Sequence, residues 1–349
     1  MMTNVLITGG CGFIGSEAIR KIIKKGYNVF NIDKLTYASC PESLLDLPEN
    51  QYSFIQGDIY NSSTINSFIN QSKPNYILNF AAESHVDRSI EDPDSFIKTN
   101  IVGTYNLLNA SLSYYLSLDN DEKKDFKFIH ISTDEVYGSL QLEDVPFKEE
   151  DPYKPNSPYS SSKASSDLLV RAWNKTYNLP IIITHSSNNY GPWQFPEKLI
   201  PLTVLNALNN KPIQVYGNGS NIRDWIHVKD HVDALFKVML AGRDGETYNI
   251  GGSNELRNID LVKKICFILD QVKPKENGKY SDLIEFVKDR PGHDHRYAIS
   301  INKIKSELSW EPKIQFENGL EESIKWMVEN FDWLSSKLDK DGRIGLKKI

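Results

Sequence analysis

The chain has 349 residues, of which 40% are hydrophobic, and a formal net charge of −6. This length exceeds the size at which one hydrophobic core stops growing, so we expect two closely packed lobes. The negative charge argues against nucleic acid as a partner, because nucleic-acid binding needs a basic surface. The sequence shows no signal segment, no apolar run of membrane-spanning length and no pairing rhythm among its three cysteines. We therefore expect a cytoplasmic protein without a membrane span, disordered only over residues 339–349.

Short apolar runs and helical patterns alternate through the first half of the chain. The apolar runs predict strands at residues 4–8, 28–33, 52–56, 76–80, 127–131 and 181–185. The helical periodicity predicts helices at residues 13–25, 63–72, 93–116 and 157–178. Strands that alternate with helices at this spacing predict an α/β fold, a Rossmann-type parallel sheet with helices on both faces.

A glycine-rich turn joins the first predicted strand to the first predicted helix. Gly9, Gly12 and Gly15 permit a tight turn and a close approach of backbone to a pyrophosphate at the helix N-terminus. Asp33 ends the next strand, and its carboxylate suits a ribose 2′-hydroxyl and repels a 2′-phosphate. The pattern therefore predicts NAD rather than NADP as the cofactor. Lys34 argues for the opposite preference, although we expect its side chain to face solvent.

Polar residues follow the predicted strand at 127–131, where ligands of open α/β sheets bind. Thr133 is placed to hydrogen-bond a sugar hydroxyl. Asp134 and Glu135 can serve as one general acid and one general base if their surroundings separate their pKa values. A solvated acidic loop or a helix cap is the alternative that the residues alone leave open.

Tyr159 and Lys163 are four residues apart and therefore share one face of a predicted helix. An ammonium group beside a phenol favours the phenolate, which lowers the phenol pKa from about 10 toward neutral pH. Such a tyrosine removes a hydroxyl proton while a hydride leaves the same carbon. The pair also occurs by chance on solvated helices, and the glycine-rich turn is what favours the catalytic interpretation.

Loops rich in Gly, Asn and Pro interrupt the regular alternation beyond Asn188. We therefore predict an NAD-binding Rossmann domain at residues 1–187 and a smaller C-terminal substrate lobe mainly at residues 188–349. The boundaries are expected to be discontinuous, since residues near 224–250 look like a return to the first domain.

These motifs together resemble the extended short-chain dehydrogenase/reductases and, within them, the dTDP-glucose 4,6-dehydratases. The resemblance covers nearly the whole chain, through residues 7–10, 33–37, 81–87, 132–138, 159–163, 187–192, 195–201 and 290–294. The adjacent acids Asp134 and Glu135 are its most specific part, because related epimerases generally lack such a pair.

The resemblance implies a mechanism and a cofactor, NAD. Tyr159 takes the proton of the C4 hydroxyl as NAD accepts hydride. Glu135 then removes the C5 proton, and Asp134 protonates the departing C6 hydroxyl. Return of the hydride to C6 gives a 4-keto-6-deoxy sugar nucleotide, so NAD is regenerated in each turnover.

The resemblance also implies which residues contact the ligands and take part in catalysis. The catalytic residues are Thr133, Asp134, Glu135, Tyr159 and Lys163. The NAD contacts are Gly9, Gly12, Phe13, Ile14, Gly15, Asp33, Lys34, Leu35, Thr36, Asp58, Ile59, Ala81, Ala82, Ser84, Thr99, Tyr159, Lys163 and Asn189. The substrate contacts are Ser84, Thr133, Asn188, Lys198, Leu199, Val215, Tyr216, Arg223, Asn258, Asp289, Arg290 and His293.

Three further expectations concern the partners of the chain. Lys198, Arg223 and Arg290 would supply the cations that the diphosphate of a dTDP-glucose substrate needs. The sequence 293–295 reads His-Asp-His but lacks a further ligand nearby, so we predict no metal. A homodimer is implied, with the helices predicted at 93–116 and 157–178 pairing across a twofold axis.

Several alternatives remain open at this point. A sugar-nucleotide 4-epimerase shares the NAD site and the Tyr/Lys pair, and a non-catalytic NAD-binding regulator shares the scaffold. Asp134 and Glu135 count against both. A UDP-glucose 4,6-dehydratase differs only in the base, which we expect to lie near Trp193 and Tyr216.

Overall fold

The structure of the protein, a computed structural model, describes residues 3–337, so the disorder expected for 339–349 lies outside the described residues. Its strands are β1 (Asn4–Thr8), β2 (Asn28–Asp33), β3 (Tyr52–Gln56), β4 (Tyr76–Asn79), β5 (Lys127–Thr133), β6 (Ile181–Ser186), β7 (Asn188–Tyr190), β8 (Ile213–Tyr216), β9 (Ile222–His227), β10 (Thr247–Ile250), β11 (Glu255–Arg257) and β12 (Ile284–Val287).

Helices connect most of these strands. The α-helices are α1 (Phe13–Lys24), α2 (Ser62–Ser72), α3 (Val86–Glu91), α4 (Pro93–Phe96), α5 (Thr104–Ser117), α6 (Asn120–Asp125), α7 (Pro158–Tyr177), α8 (Leu199–Leu208), α9 (Val228–Ala241), α10 (Asn258–Val272), α11 (Asn302–Leu308), α12 (Phe316–Glu329) and α13 (Phe331–Ser336). Ile97–Gly103 is π-helical, and 3₁₀ turns lie at Pro41–Leu44, Asp134–Tyr137 and Tyr280–Leu283. Within residues 3–337, no helix has the length and apolar character needed to cross a bilayer.

Seven parallel strands form the central sheet, in the order β10-β6-β5-β4-β1-β2-β3. The strand order reverses between β1 and β4, and such a reversal opens a crevice at the carboxyl ends of the strands. This sheet, with helices on both faces, confirms the Rossmann-type α/β prediction.

Each face of the sheet has its own apolar core. On one face, α1 and α9 pack together and bury residues such as Ile19 and Leu235 against the strands. On the other face, α2, α5 and α7 bury Phe68, Leu107 and Val170. The apolar residues of α1 recur at three- and four-residue spacing, which is why this helix presents one stripe to the sheet.

A third core lies in the C-terminal half. The helices α8, α10 and α12 bury Val204, Ile265 and Leu320 beside the small sheets β11-β9-β7 and β12-β8. Residues 222–250 run from β9 through α9, which packs on α1, to β10, which pairs with β6 at the edge of the large sheet.

Two predicted elements differ from the structure in ways that affect the crevice. The helix predicted at 93–116 is divided into α4, a π-helical segment and α5. Within that segment, the Asn100 side chain accepts from the backbone N–H of Glu83 at 2.9 Å and donates to the Ser162 hydroxyl at 2.9 Å. Both hydrogen bonds join residues far apart in sequence, so the local hydrophobic periodicity does not predict them. Strand β5 extends to Thr133, two residues beyond its predicted end.

Candidate active site

A cleft of about 490 Å³ lies between the carboxyl ends of the central strands and the C-terminal lobe. Both parts of the chain contribute to its wall. The predicted site residues that line it are Gly9, Gly12, Phe13, Ile14, Gly15, Asp33, Lys34, Thr36, Asp58, Ile59, Ala81, Ala82, Ser84, Thr99, Thr133, Asp134, Glu135, Tyr159, Lys163, Asn188, Asn189, Lys198, Leu199, Val215, Tyr216, Arg223, Asn258, Arg290 and His293.

The glycine-rich turn forms one end of the cleft. Gly9 has φ +71°, and a Cβ at this position would lie 2.6 Å from the amide nitrogen of Ala81. A Cβ on Gly15 would lie 2.5 Å from the carbonyl oxygen of Gly9. Helix α1 begins after Gly12 without a side-chain cap or an acidic residue in its first turn. Its first N–H groups are therefore available to an anion such as a pyrophosphate.

Asp33 ends β2 at the same end of the cleft and is held in a fixed orientation. Its Oδ2 accepts from the backbone N–H of Cys11 at 2.9 Å, and its Oδ1 accepts from that of Leu35 at 2.8 Å. Lys34 is partly exposed, with Nζ 3.4 Å from Asp58 Oδ2 and 3.8 Å from Glu83 Oε1. Its charge is therefore partly compensated by neighbouring carboxylates, and the expectation of a side chain simply facing solvent is incomplete.

The two adjacent acids stand on a 3₁₀ turn that follows β5. Thr133 caps this turn by accepting from the backbone N–H of Glu135 at 3.3 Å. Burial, followed by the Glu135 carboxylate, raises the pKa of Asp134 well above its usual range. Burial also raises the pKa of Glu135, but Arg290 opposes that rise. Asp134 therefore favours its protonated form, whereas Arg290 favours the carboxylate of Glu135, and burial of the pair excludes the solvated-loop alternative.

Tyr159 and Lys163 face the cleft from the first turns of α7. Lys163 Nζ donates to the carbonyl oxygen of Ile131 at 2.8 Å, and burial lowers the pKa of Lys163 to about 8. Burial and the Glu135 carboxylate raise the pKa of Tyr159, while a hydrogen bond with Thr133 opposes the rise. This direction is opposite to the predicted lowering, because burial of the phenol is the largest influence and nearby carboxylates add to it.

The three predicted cations have different surroundings. Lys198 Nζ donates to the carbonyl oxygen of Ser84 at 2.8 Å. Arg290 pairs with Asp87, Nη1 to Oδ1, at 3.0 Å, and its Nε has no hydrogen-bond partner within the described residues. Arg223 donates to backbone carbonyls, including that of Asp294 at 3.0 Å. All three line the cleft, but Arg223 makes the most hydrogen bonds to other atoms of the protein.

Three residues that sequence reasoning put near the ligands do not line this cleft. Leu35 packs toward the core of the α1 face. Asp289 pairs with His293, with its Oδ1 2.6 Å from Nδ1 of that ring. Trp193 packs against Trp326 and Trp333 of the C-terminal helices, with ring centroids 4.9 and 5.0 Å away.

Several residues of the cleft wall received no role from the sequence. Glu197 is buried, with Oε2 3.9 Å from His85 Nε2 and 3.7 Å from Arg88 Nε. Asp87 holds Arg290 and accepts from the Tyr216 hydroxyl at 3.0 Å. These residues lie in or beside segments 81–87 and 195–201, which carry the family resemblance, but their spacing does not point to a ligand.

The sequence His-Asp-His at 293–295 does not assemble a metal site. Asp294 accepts from the side chains of Asn156 at 2.6 Å and Tyr297 at 2.5 Å, while His293 pairs with Asp289. Across residues 3–337, no cluster of three or more His, Cys, Asp or Glu side chains is arranged to hold an ion.

Comparison with known proteins gives relatives over nearly the full length. The family described as GDP-mannose 4,6 dehydratase matches residues 6–323. The dTDP-glucose 4,6-dehydratase of Salmonella typhimurium is 53% identical over 95% of this chain and 94% of the relative. That of Neisseria meningitidis is 51% identical over 98% of both chains.

Solved structures give the same grouping. The dTDP-glucose 4,6-dehydratase of Bacillus anthracis, in complex with NAD, is 43% identical, with a TM-score of 0.83 over 96% of this chain and 99% of the other. The UDP-glucose 4-epimerase of Thermotoga maritima has a similar TM-score of 0.82 over 94% of this chain and 100% of the other, but only 27% identity. The chain therefore belongs to the GDP-mannose 4,6-dehydratase family and, within it, to the dTDP-glucose 4,6-dehydratases.

Proposed function

We propose that this protein is an NAD-dependent dTDP-glucose 4,6-dehydratase that works in the cytoplasm. The observation that carries the proposal is the placement of Asp134 and Glu135 in one cleft with Tyr159 and Lys163. Oxidation and re-reduction at C4 alone, as in an epimerase, need only the Tyr/Lys pair. The two acids supply the elimination of water. Cys11, Cys40 and Cys266 are free thiols, which suits a reducing compartment.

The residues at the glycine-rich end of the cleft fit NAD. The uncapped N-terminus of α1 suits the pyrophosphate, and glycine at position 9 leaves room where a Cβ would collide with Ala81. The Asp33 carboxylate suits a ribose diol and repels a 2′-phosphate. When bound, NAD accepts hydride from C4 and returns it to C6, and its cationic ring favours the phenolate of Tyr159.

The protein side chains then divide the proton transfers among themselves. Tyr159 takes the proton of the C4 hydroxyl, and the resulting 4-ketone acidifies the C5 proton. Glu135, whose carboxylate Arg290 and Arg223 favour, removes that C5 proton. Asp134, whose buried carboxyl favours its proton, gives it to the departing C6 hydroxyl, so water leaves.

The path of the hydride tests this mechanism. Substrate deuterated at C4 should give product with that deuterium in the C6 methyl group, and solvent hydrogen should enter at C5. A mixture of labelled and unlabelled substrate should show no crossover between molecules by mass spectrometry. Deuterium that remains at C4, or that appears in released NADH, would reject the dehydratase and favour an epimerase or a simple dehydrogenase.

The choice of base is tested separately. We expect dTDP-glucose as substrate because the relatives at about half identity over almost the full chain are described as dTDP-glucose 4,6-dehydratases. The measurement is kcat/KM for dTDP-, UDP- and CDP-glucose, with products identified by mass. An equal or higher kcat/KM for UDP-glucose would assign the protein to the UDP-glucose enzymes.

A homodimer is also part of the proposal. Helices α5 and α7 pack side by side, and their outer faces, with the adjoining π-helical segment, expose large apolar side chains. These exposed side chains include Ile97, Tyr105, Leu168 and Tyr177. Burial of these side chains against the same helices of a second copy would form a four-helix interface around a twofold axis.

Sedimentation at micromolar concentration tests the dimer. The wild-type protein should sediment as a dimer, and Leu168→Glu should shift it toward the monomer because the new charge would be buried in the interface. Phe267→Glu, at a similarly exposed position on α10, is the matched control and should leave the dimer intact. A wild-type monomer would contradict the proposal.

A further inference from the structure

Asp167 is a fully buried carboxylate on α7 that the proposed mechanism does not use. It lies one helical turn after Lys163 on the same face of the helix. His185 of β6 places Nε2 3.0 Å from Asp167 Oδ2, and the Ser132 hydroxyl donates to the same oxygen at 2.9 Å. His130 of β5 places Nε2 3.4 Å from Asp167 Oδ1. Side chains from two strands thus converge on one carboxylate of α7.

His130 stands between Asp167 and the catalytic lysine, with Nε2 3.5 Å from Lys163 Nζ. The amide nitrogen of Asn79 lies 3.1 Å from His130 Nδ1, so Nδ1 accepts and Nε2 carries the ring proton. A ring in this state donates its Nε2 proton to the Ser166 hydroxyl, which is 3.1 Å away, and does not accept from an ammonium. Burial and Lys163 lower the pKa of His130 to about 4, so the ring is neutral.

The surroundings keep Asp167 ionised. Burial by itself raises the pKa of Asp167, but its interactions with the His130 and His185 rings outweigh burial and hold that pKa below its usual range. Burial lowers the pKa of Lys163, and the charge of Asp167 opposes that lowering. The carboxylate therefore favours the ammonium form of a lysine that would otherwise lose its proton more readily.

The other titratable groups that face this cluster are uncharged phenols. The Tyr153 hydroxyl lies 3.0 Å from His185 Nε2, and the Tyr137 hydroxyl lies 2.8 Å from His185 Nδ1. Burial raises the pKa of both phenols above their usual value. The amide oxygen of Asn249 completes the shell, 3.3 Å from the same Nδ1.

We propose that Asp167 is a positioning residue of the reaction: its carboxylate, held by His185 and Ser132, keeps Lys163 an ammonium for the step that Tyr159 performs. This inference rests on the proposed function, because it acts through the Tyr/Lys pair. The alternative is that this buried network only stabilises the fold.

The pH dependence of kcat separates the two accounts. In the wild-type enzyme, kcat should fall at alkaline pH as Lys163 loses its proton. Asp167→Asn keeps the shape but removes the charge, so the alkaline limb should move down by about one unit. Its kcat relative to wild type should then be about tenfold lower at pH 9 than at pH 6.5, with KM unchanged. Asp230→Asn, at another buried helical aspartate that accepts two backbone N–H bonds, should leave the profile in place.

Each outcome decides the proposal. A wild-type enzyme without dehydratase activity would overturn the proposed function rather than this inference. An active Asp167→Asn enzyme whose kcat is reduced equally at every pH would overturn the inference and leave a structural role. If circular dichroism shows that Asp167→Asn does not fold, Lys163→Arg tests the same assignment, because a guanidinium stays charged over this range. The alkaline limb should then disappear, and its persistence would overturn the proposal.

Discussion

At the scale of single residues, the two acids of the 3₁₀ turn are adjacent in sequence but differ in their surroundings. Glu135 has Arg290 as its strongest opposing charge, whereas Asp134 has Glu135 as its strongest neighbour after burial. Adjacent residues thus receive opposite electrostatic influences from their charged neighbours. This difference supports the proposed roles of Glu135 as the base and Asp134 as the acid.

Glu135→Gln should stop the reaction after the first oxidation. The amide cannot remove the C5 proton, so turnover should fall by a factor of about 10² to 10⁴. Absorbance at 340 nm should show NADH on the enzyme, and 4-keto-glucose nucleotide should be recovered after quenching. The matched control is Glu276→Gln, at an exposed position outside the cleft. Near-normal turnover of Glu135→Gln would mean that another group is the base.

Asp134→Asn should lose activity but gain stability above neutral pH. The pKa of Asp134 is raised in the folded protein, so folding favours the protonated form. The contribution of protonated Asp134 to stability is therefore fully present below the unfolded pKa of about 3.9. It is lost as pH rises toward the folded pKa, and the loss is about 1.4 kcal/mol for each unit by which the two pKa values differ. The variant should match wild type near pH 4 and exceed it at pH 8 in urea unfolding. Asp332→Asn, at an exposed position, should show no such divergence.

At the scale of elements, α7 carries Tyr159 and Lys163, the pair to which the proposed mechanism gives the oxidation at C4. Its N-terminus is fixed by a capping box in which Ser157 accepts from the backbone N–H of Ser160 at 3.0 Å and Ser160 accepts from that of Ser157 at 3.0 Å. Tyr159 is the second residue of this helix. The cap therefore sets the position of the phenol as well as the stability of the helix.

Ser157→Ala should affect both properties. Loss of the cap should cost about 1 kcal/mol of unfolding free energy, and a displaced phenol should lower kcat by about tenfold to a hundredfold. Asp119→Ala removes an equivalent capping box from the exposed helix α6 and is the matched control. It should lower stability locally but leave kcat unchanged. An unchanged kcat in Ser157→Ala would show that packing, not the cap, positions Tyr159.

At the scale of the whole molecule, residues from both halves of the chain line the cleft, so its ligands should stabilise the protein as a unit. NAD should co-purify, and denaturation should release it in stoichiometric amount. Restoring NAD to stripped protein at about a hundred times its Kd should add about 2.7 kcal/mol to the free energy of unfolding, which calorimetry measures as a higher Tm.

Gly9→Ala should abolish this rise in Tm, because its Cβ would be 2.6 Å from the amide nitrogen of Ala81. Gly26→Ala, at an open site after α1, should retain the response. A wild-type Tm independent of NAD would contradict this expectation.

The sequence by itself determined the parallel sheet, the glycine-rich turn and the family of the protein. The structure agrees to the residue with five predicted features of this kind: β1, β2, β3, the start of α1 and the strand-end position of Asp33. They depend on local hydrophobic period and on glycine geometry, which neighbouring residues encode directly. The family resemblance also implied ligand contacts that the spacing of residues alone did not predict.

Only the tertiary structure decided the electrostatics and the long-range contacts. Burial reversed the expected direction of the Tyr159 pKa, because the phenol lies in the interior beside Glu135. Asn100 bridges Glu83 and Ser162 within a π-helical segment that the sequence presented as ordinary helix. His185 meets Asp167 across two elements. Solvent exclusion and hydrogen bonds between distant residues depend on how the elements pack, and periodicity along one element does not contain that information.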